Sequence, residues 1–343
     1  MLTADFDYDL PQKLIAQTPL SKREQSRMMI LHRRTGEIIH SRFKEFPDYL
    51  NKGDVLVLNN TKVIPARAWG KKEGKEIEFL FLKESKEGLW EVLCRPAKKA
   101  RLGDVISFSP GFEGKIVKVE SEGKRVIRFS SGDVLSRLKK IGFAPLPPYI
   151  KRKKKNVELR AQDLERYQTV FARKEGAIAA PTAGLHFTPQ ILERIKTKRV
   201  QVAEISLNVG LATFQPVRAK RIEDFRMLEE TYSISQAVSQ TINEAKKESR
   251  PIIAVGTTSV RTLESAFKSG KIHPGRNSTN LFIYPGYEFK AVKRLLTNFH
   301  LPKSTLLMLV AAFAGLDFIK KAYQEAIRQK YRFYSYGDCM FIL

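Results

Sequence analysis

Hydrophobic and polar positions change rhythm twice along the chain. Up to about residue 60 the pattern is mixed. Within it, Asp54-Val-Leu-Val-Leu-Asn-Asn-Thr61 is a short apolar run ending in polar side chains. Such a run predicts a buried strand that presents Asn60 and its neighbours at its C-terminal end. From about 66 to 150, segments rich in β-branched and aromatic residues recur: 76–82, 89–95, 104–108, 115–119 and 125–129. Turn formers separate them at Lys86-Glu-Gly88, Ser109-Pro-Gly111 and Ser121-Glu-Gly123. Five or six short strands spaced in this way predict a small barrel or sandwich. A helix over 133–140 and the stretch Pro145-Leu-Pro-Pro148 close this unit.

From about 176 onward, helix and strand patterns alternate. Thr188 and Pro189 form an N-cap and first-turn signature. Strand patterns cover 200–207, 252–256 and 281–284, and helix patterns cover 235–248, 258–267, 304–314 and 317–329. The alternation predicts an α/β fold with functional groups at the C-terminal ends of strands. The expected architecture is an α/β main domain, barrel-like or open, formed by residues 1–65 and 151–343. A small all-β domain, a β-barrel, is expected as an insertion over 66–150.

Composition narrows the partners. Lys and Arg total 61 against 36 Asp and Glu, a formal charge of +25. A surplus of this size favours a polyanion such as nucleic acid, and the basic block Lys151-Arg-Lys-Lys-Lys155 is the densest candidate contact. The longest apolar run near the C-terminus, 306–316, is too short to span a bilayer. The opening Met-Leu-Thr-Ala-Asp-Phe-Asp-Tyr-Asp-Leu has neither a secretory nor a transit pattern. Cys94 and Cys339 lie far apart and the five histidines are scattered, so neither a disulfide framework nor a metal site is expected. A soluble cytoplasmic protein, without a membrane partner and monomeric, is expected.

The chemistry concentrates in small polar clusters beside Gly or Pro. No dinucleotide-binding or phosphate-loop glycine motif and no Gly-x-Ser-x-Gly is present. The first cluster is Pro181-Thr-Ala-Gly-Leu-His-Phe-Thr188, with Thr182 and His186 in a strand-to-helix connection; a lone histidine there can equally be structural. The second is Gly256-Thr-Thr-Ser-Val-Arg-Thr-Leu-Glu264. Thr257 and Thr258 either cap the helix or grip a ligand, and Arg261 and Glu264 are spaced to pair with each other. The third is Thr297-Asn-Phe-His-Leu-Pro302, in which Asn298 and His300 fall on one side of an extended segment. The fourth is Tyr334-Ser-Tyr-Gly-Asp338, where Asp338 is a base or a turn residue.

Taken in order, these clusters resemble the S-adenosylmethionine:tRNA ribosyltransferase-isomerase family of queuosine biosynthesis. Matching stretches include Leu14-Ile-Ala-Gln-Thr-Pro-Leu20, Val57-Leu-Asn-Asn-Thr-Lys-Val-Ile-Pro-Ala-Arg67, Tyr167-Gln-Thr-Val-Phe171, Phe282-Ile-Tyr-Pro-Gly-Tyr287 and the four clusters above. The resemblance implies transfer of the ribosyl unit of S-adenosylmethionine to 7-aminomethyl-7-deazaguanine at the tRNA wobble position. The unit isomerises to give epoxyqueuosine, and adenine and methionine leave. It implies tRNA and the sulfonium co-substrate as partners and no further cofactor. A base must take a proton beside the sulfonium and an acid must assist adenine, with His186, His300, Glu264 and Asp338 as the proton carriers in matching motifs. Thr182, Thr257, Thr258, Arg261, Asn298 and Asn60 are the implied binding residues.

Departures from the family pattern are specific. Asn208 and Leu228 stand where the family usually has histidine, Glu24 stands for an Asp, and an Asp usual near Lys293 is missing. Asn208 can hydrogen-bond but not carry a proton, and Leu228 can do neither. The alternative reading is therefore a tRNA-binding relative with impaired turnover. A basic, ribosome-associated structural protein would explain the charge but not the polar clusters.

Overall fold

The structure, a computed structural model, describes residues 1–130, 133–152, 157–210 and 217–343. The chain opens with β1 (Arg27–His32), β2 (Glu37–Arg42), β3 (Val55–Asn59) and the short β4 (Thr61–Val63). The next six strands are β5 (Arg67–Lys72), β6 (Lys75–Lys86), β7 (Leu89–Arg95), β8 (Val105–Ser109), β9 (Phe112–Val119) and β10 (Lys124–Phe129). They close into an antiparallel barrel in the order β10-β7-β6-β5-β8-β9. Alternation makes the barrel: Ile77, Phe79 and Phe81 point inward along β6 while Glu76, Glu78 and Leu80 do not. Trp90, Ile116, Ile127 and Phe129 fill the rest of its core. Gly114 is required by that filling, since a Cβ there would sit 2.4 Å from Ile127 Cγ2.

Helices α1 (Val134–Ile141) and α2 (Val157–Arg166) lead back to the main unit, where β11 (Lys174–Ala177) pairs in parallel with β4. There follow α3 (Pro189–Thr197), β12 (Gln201–Leu207), β13 (Glu230–Ile234), α4 (Gln236–Lys247), β14 (Ile252–Val255) and α5 (Thr257–Ala266). A two-residue hairpin, β15 (Phe267–Lys268) and β16 (Lys271–Ile272), precedes β17 (Gly275–Thr279) and β18 (Arg294–Asn298). Helices α6 (Thr305–Ala314) and α7 (Leu316–Arg328) and the final strand β19 (Cys339–Ile342) complete the chain. Thr188, Ser235 and Ser304 cap α3, α4 and α6 through their side-chain oxygens, as the sequence signatures predict.

The main unit is one nine-stranded sheet in the order β17-β13-β12-β3-β14-β18-β19-β1-β2. Strands β12, β3, β14 and β18 run parallel at its centre. The main unit is thus α/β with an extended mixed sheet, and the closed barrel is the β5–β10 unit. All five residues of β3 are buried, with Val55 and Val57 in the core on one face and Leu56 and Leu58 in the core on the other. Helices α4 to α7 cover the first face and α3 the second.

One expected strand is absent. Residues 281–284 are irregular, and the strand lies just before them at Gly275–Thr279. The physical reason is that side chains take the backbone groups a ladder would use. The Leu281 N–H donates to Thr279 Oγ1 at 3.0 Å, and the Leu281 carbonyl accepts from Arg261 Nε at 3.0 Å. Leu281, Phe282 and Tyr284 still pack on the core, which accounts for their apolar pattern. Among the described residues, no helix is long and apolar enough to cross a membrane.

Candidate active site

The parallel strands end together, and the polar clusters meet there. A cleft of about 530 Å³ is lined by Thr182 from the connection between β11 and α3, by Gly256, Thr257 and Thr258 at the start of α5, and by Thr297 to His300 at the end of β18. Tyr149, Tyr334 and Ser335 complete its wall. Open α/β sheets place ligands at this edge because backbone turns and helix N-termini are exposed there.

Gly256 makes the turn possible. Its φ of +83° is left-handed, and its N–H donates to the Leu296 carbonyl at 2.8 Å, fixing β14 against β18. No side chain caps α5, so the first-turn amides at Thr257 and Thr258 have no intrahelical acceptor. Donors in that position can receive an anion or a carboxylate. The hydroxyls of Thr258 and Ser259 do not cap the helix either. Ser259 Oγ donates to the Val255 carbonyl at 2.8 Å, and Thr258 Oγ1 accepts from Asn59 Nδ2 at 3.2 Å. Asn59 is thus the residue of the Asn-Asn pair that braces a cleft residue, steadying Thr258 from behind the lining, and sequence reasoning passed over it. Asn60 points the other way: it donates to Glu204 at 3.1 Å and accepts from Ser206 at 2.6 Å. Strand alternation was the available signal.

The two candidate histidines differ in placement. His300 lines the cleft. Its Nε2 is 2.8 Å from Thr297 Oγ1, and its other ring nitrogen has no hydrogen bond among the described residues. Its backbone is pinned on both sides, the N–H donating to Tyr323 OH at 2.9 Å and the carbonyl accepting from Tyr8 OH. His186 stands behind Asn298, with Nε2 3.4 Å from Asn298 Oδ1 and Nδ1 2.9 Å from Ser26 Oγ. Because Asn298 Nδ2 donates to the Tyr334 carbonyl at 2.9 Å, its oxygen faces the imidazole and His186 carries its proton on Nε2. His186 therefore acts on the cleft through Asn298.

Burial lowers both imidazoles, His186 to about 4 and His300 to about 3; for His186 the positive charges of Arg23 and Arg332 add to it. Both rings are therefore neutral at pH 7. The same shifts make stability depend on pH. The unfolded chain takes up protons below 6.5, whereas folded His186 does so only near 4, so stability is complete above pH 6.5 and falls toward pH 4. At 1.36 kcal/mol per unit, the His186 shift from 6.5 to about 4 amounts to roughly 3 kcal/mol. Urea midpoints measured across this range should decline steeply for the wild type and less steeply for His186→Gln. Equal slopes would remove His186 as a cause.

The two carboxylates turn away from the cleft. Glu264 does not line it. Its oxygens accept the backbone N–H groups of Lys290, Ala291 and Val292 at 2.9, 3.0 and 3.0 Å and the Tyr287 hydroxyl at 3.3 Å. A carboxylate whose oxygens are taken up by three backbone amides is a strong fold constraint. Asp338 likewise bridges the N–H groups of Arg27 and Arg332, both at 2.8 Å, the turn role of its two alternatives. Arg261 does not pair with Glu264. It pairs with buried Glu230, which also accepts the Gly210 N–H at 2.8 Å beside cleft residue Val209.

The departures from the family pattern fall outside the cleft lining. Asn208 bonds Thr61 Oγ1 at 3.2 Å and Thr231 Oγ1 at 3.4 Å, and Leu228 is 63% exposed. In the basic block, residues 153–155 lie outside the described residues. Arg152 is committed to Asp163 through two bonds of 2.6 and 3.0 Å, so it is a structural cation. Among the described residues, no group of three or more His, Cys, Asp or Glu is placed to hold a metal ion.

Comparison with known proteins agrees with this architecture. The profile of the family described as queuosine biosynthesis protein matches residues 3–342. The chain is 50% identical, over all of both chains, to the S-adenosylmethionine:tRNA ribosyltransferase-isomerase of Carboxydothermus hydrogenoformans. It is 47% identical, again over all of both chains, to the protein of the same name from Clostridioides difficile. The crystal structure of S-adenosylmethionine tRNA ribosyltransferase from Thermotoga maritima is 38% identical and superimposes with a TM-score of 0.55, covering 99% of this chain and 100% of that one. A family match over residues 3–342, with full-length relatives at about half identity, means that this protein belongs to the queuosine biosynthesis family.

Proposed function

We infer that the chain is an S-adenosylmethionine:tRNA ribosyltransferase-isomerase, converting 7-aminomethyl-7-deazaguanine in the tRNA wobble position to epoxyqueuosine with release of adenine and methionine. The observation that carries this reading is the single cleft into which the motifs at Thr182, Gly256–Thr258 and Thr297–His300 converge. The sulfonium co-substrate presents a carboxylate, a sugar and a carbon made acidic by the adjacent positive sulfur. The free amides of Thr257 and Thr258 suit the carboxylate. Thr182, Thr258 and Asn298 suit the sugar hydroxyls. His300, held at the cleft wall with one ring nitrogen free of hydrogen bonds among the described residues, is placed to take the proton removed beside the sulfur. His186 keeps Asn298 oriented, making it a positioning residue.

The reading extends to a cytoplasmic monomer with no cofactor beyond S-adenosylmethionine, built from a main domain of residues 1–65 and 151–343 and an inserted barrel domain of 66–150. The impaired-relative alternative has no observation in its favour, because the residues that motivated it, Asn208 and Leu228, do not line the cleft. Incubation with precursor tRNA and S-adenosylmethionine tests the activity. Equimolar release of adenine and methionine, strictly dependent on tRNA, is expected. Tight tRNA binding without adenine release would favour the binding relative instead.

A further inference from the structure

A second pocket lies directly behind the candidate active site. Along one short segment the lining alternates: Tyr149 faces the cleft, while Pro147, Pro148 and Ile150 face a separate pocket of about 750 Å³. The far wall comes from the barrel and helix α2, with Arg67 at the start of β5, Arg95 at the end of β7 and Arg160 on α2. Phe143 closes one side. The pocket runs on into a shallower groove along β6 and β7 that shares Arg67, Glu78 and Arg95.

Its charge is not balanced from within. Of the four arginines that line it, Arg67 pairs with Glu78 and Arg152 with Asp163. Arg95, exposed, and Arg160, half-buried, have no ion pair among the described residues. The Arg160 guanidinium lies 4.7 Å above the Phe143 ring and makes no hydrogen bond among the described residues. The Nε atoms of Arg67 and Arg160 are both buried without an acceptor. Folded proteins rarely bury guanidinium donors unsatisfied, because the lost hydration is not recovered. A phosphate oxygen is the acceptor that fits such a fork, and an aromatic ring carrying a guanidinium is a platform on which a base can stack.

We propose that this pocket binds a nucleotide of the RNA substrate that flanks the reacting nucleotide, its phosphate held by Arg160 and Arg95 and its base against Phe143. The proposal rests on the reading that the chain acts on tRNA. One polynucleotide strand passing over Tyr149 would occupy the cleft and the pocket in succession. The barrel then acts as half of an RNA clamp whose other half is the catalytic sheet.

The test uses the full-length protein and a fluorescent RNA hairpin bearing an anticodon loop. Arg160→Ala should weaken hairpin binding on the order of 10-fold and flatten the plot of log Kd against log salt by about 0.7, the value for one phosphate contact on a single strand. Arg160→Lys should restore the slope, and Phe143→Ala should weaken binding with the slope unchanged. In turnover assays Arg160→Ala should raise KM for tRNA and leave KM for S-adenosylmethionine as it was. If Arg160→Ala lowers the melting temperature severely, the exposed Arg95→Ala decides by the same slope. Wild-type slope and affinity in folded Arg160→Ala and Arg95→Ala would overturn the pocket assignment. A wild type that binds the hairpin through this pocket but releases no adenine from precursor tRNA would overturn the enzymatic reading and leave the pocket standing.

Discussion

His300→Gln should lower turnover by about 100-fold or more, the range spanned by a lost general acid or base, while tRNA binding survives. His300 is the proton carrier that the fold brings to the cleft wall, neutral at pH 7 because burial lowers its imidazole to about 3. Gln keeps a hydrogen bond to Thr297 and occupies similar space, but it cannot take up a proton. Single-turnover adenine release, set beside hairpin affinity, separates loss of chemistry from loss of binding. His186→Gln should cost less, since that ring reaches the cleft only through Asn298. The low value for His300 also means that activity should show no titration step near 6.5 from this residue. Near-normal turnover in both variants would defeat the histidine assignment and shift the proton acceptor to the substrate's own amine.

Glu264→Ala should be the most damaging single change to the fold among the residues singled out by their motifs. The substitution strips the acceptor from three backbone N–H groups, at Lys290, Ala291 and Val292, two of them bonded in fully buried surroundings. At about 1–3 kcal/mol for each unsatisfied donor, the loss is roughly 3–9 kcal/mol, comparable with the whole stability of many domains. Thermal melting should show a large drop or failure to fold. Glu264→Gln keeps one acceptor oxygen and should fall between. Turnover per folded molecule of the Gln variant should stay near that of the wild type. A folded Glu264→Gln protein with turnover reduced 100-fold would instead return Glu264 to the chemistry.

Local patterns carried much of the fold. The barrel strands are legible because inward and outward residues alternate, as along β6 and β7, and because glycine turns break them at regular intervals. Helices α3, α4 and α6 are legible because Thr188, Ser235 and Ser304 carry caps whose partners lie three residues away. The strands β1 and β19 are not legible locally, since their pairing joins opposite ends of the chain. Met28 sits opposite Cys339, and Met29 opposite Met340. No local window contains both members of such a pair. Residues 281–284 mislead for the opposite reason, being apolar because they pack but irregular because Thr279 and Arg261 take their backbone groups.

The candidate site divides along the same line. The chain by itself determined which residue types gather at strand ends, the excess of positive charge and the ordered motifs that mark the family, because these are properties of composition and spacing. Only the tertiary structure decided what each polar group faces. Asn59 and Asn60 are adjacent and chemically identical, yet one steadies Thr258 and the other pairs with Glu204. Glu264 and Asp338 look like proton carriers in sequence but spend their oxygens on backbone amides. His186 and His300 look equivalent, yet only His300 lines the cleft. A carboxylate or imidazole becomes a base, a cap or a brace according to the donors within about 3 Å of it, the reach of a hydrogen bond. Those donors come from segments tens to hundreds of residues away, so their positions exist only once the sheet has closed around them.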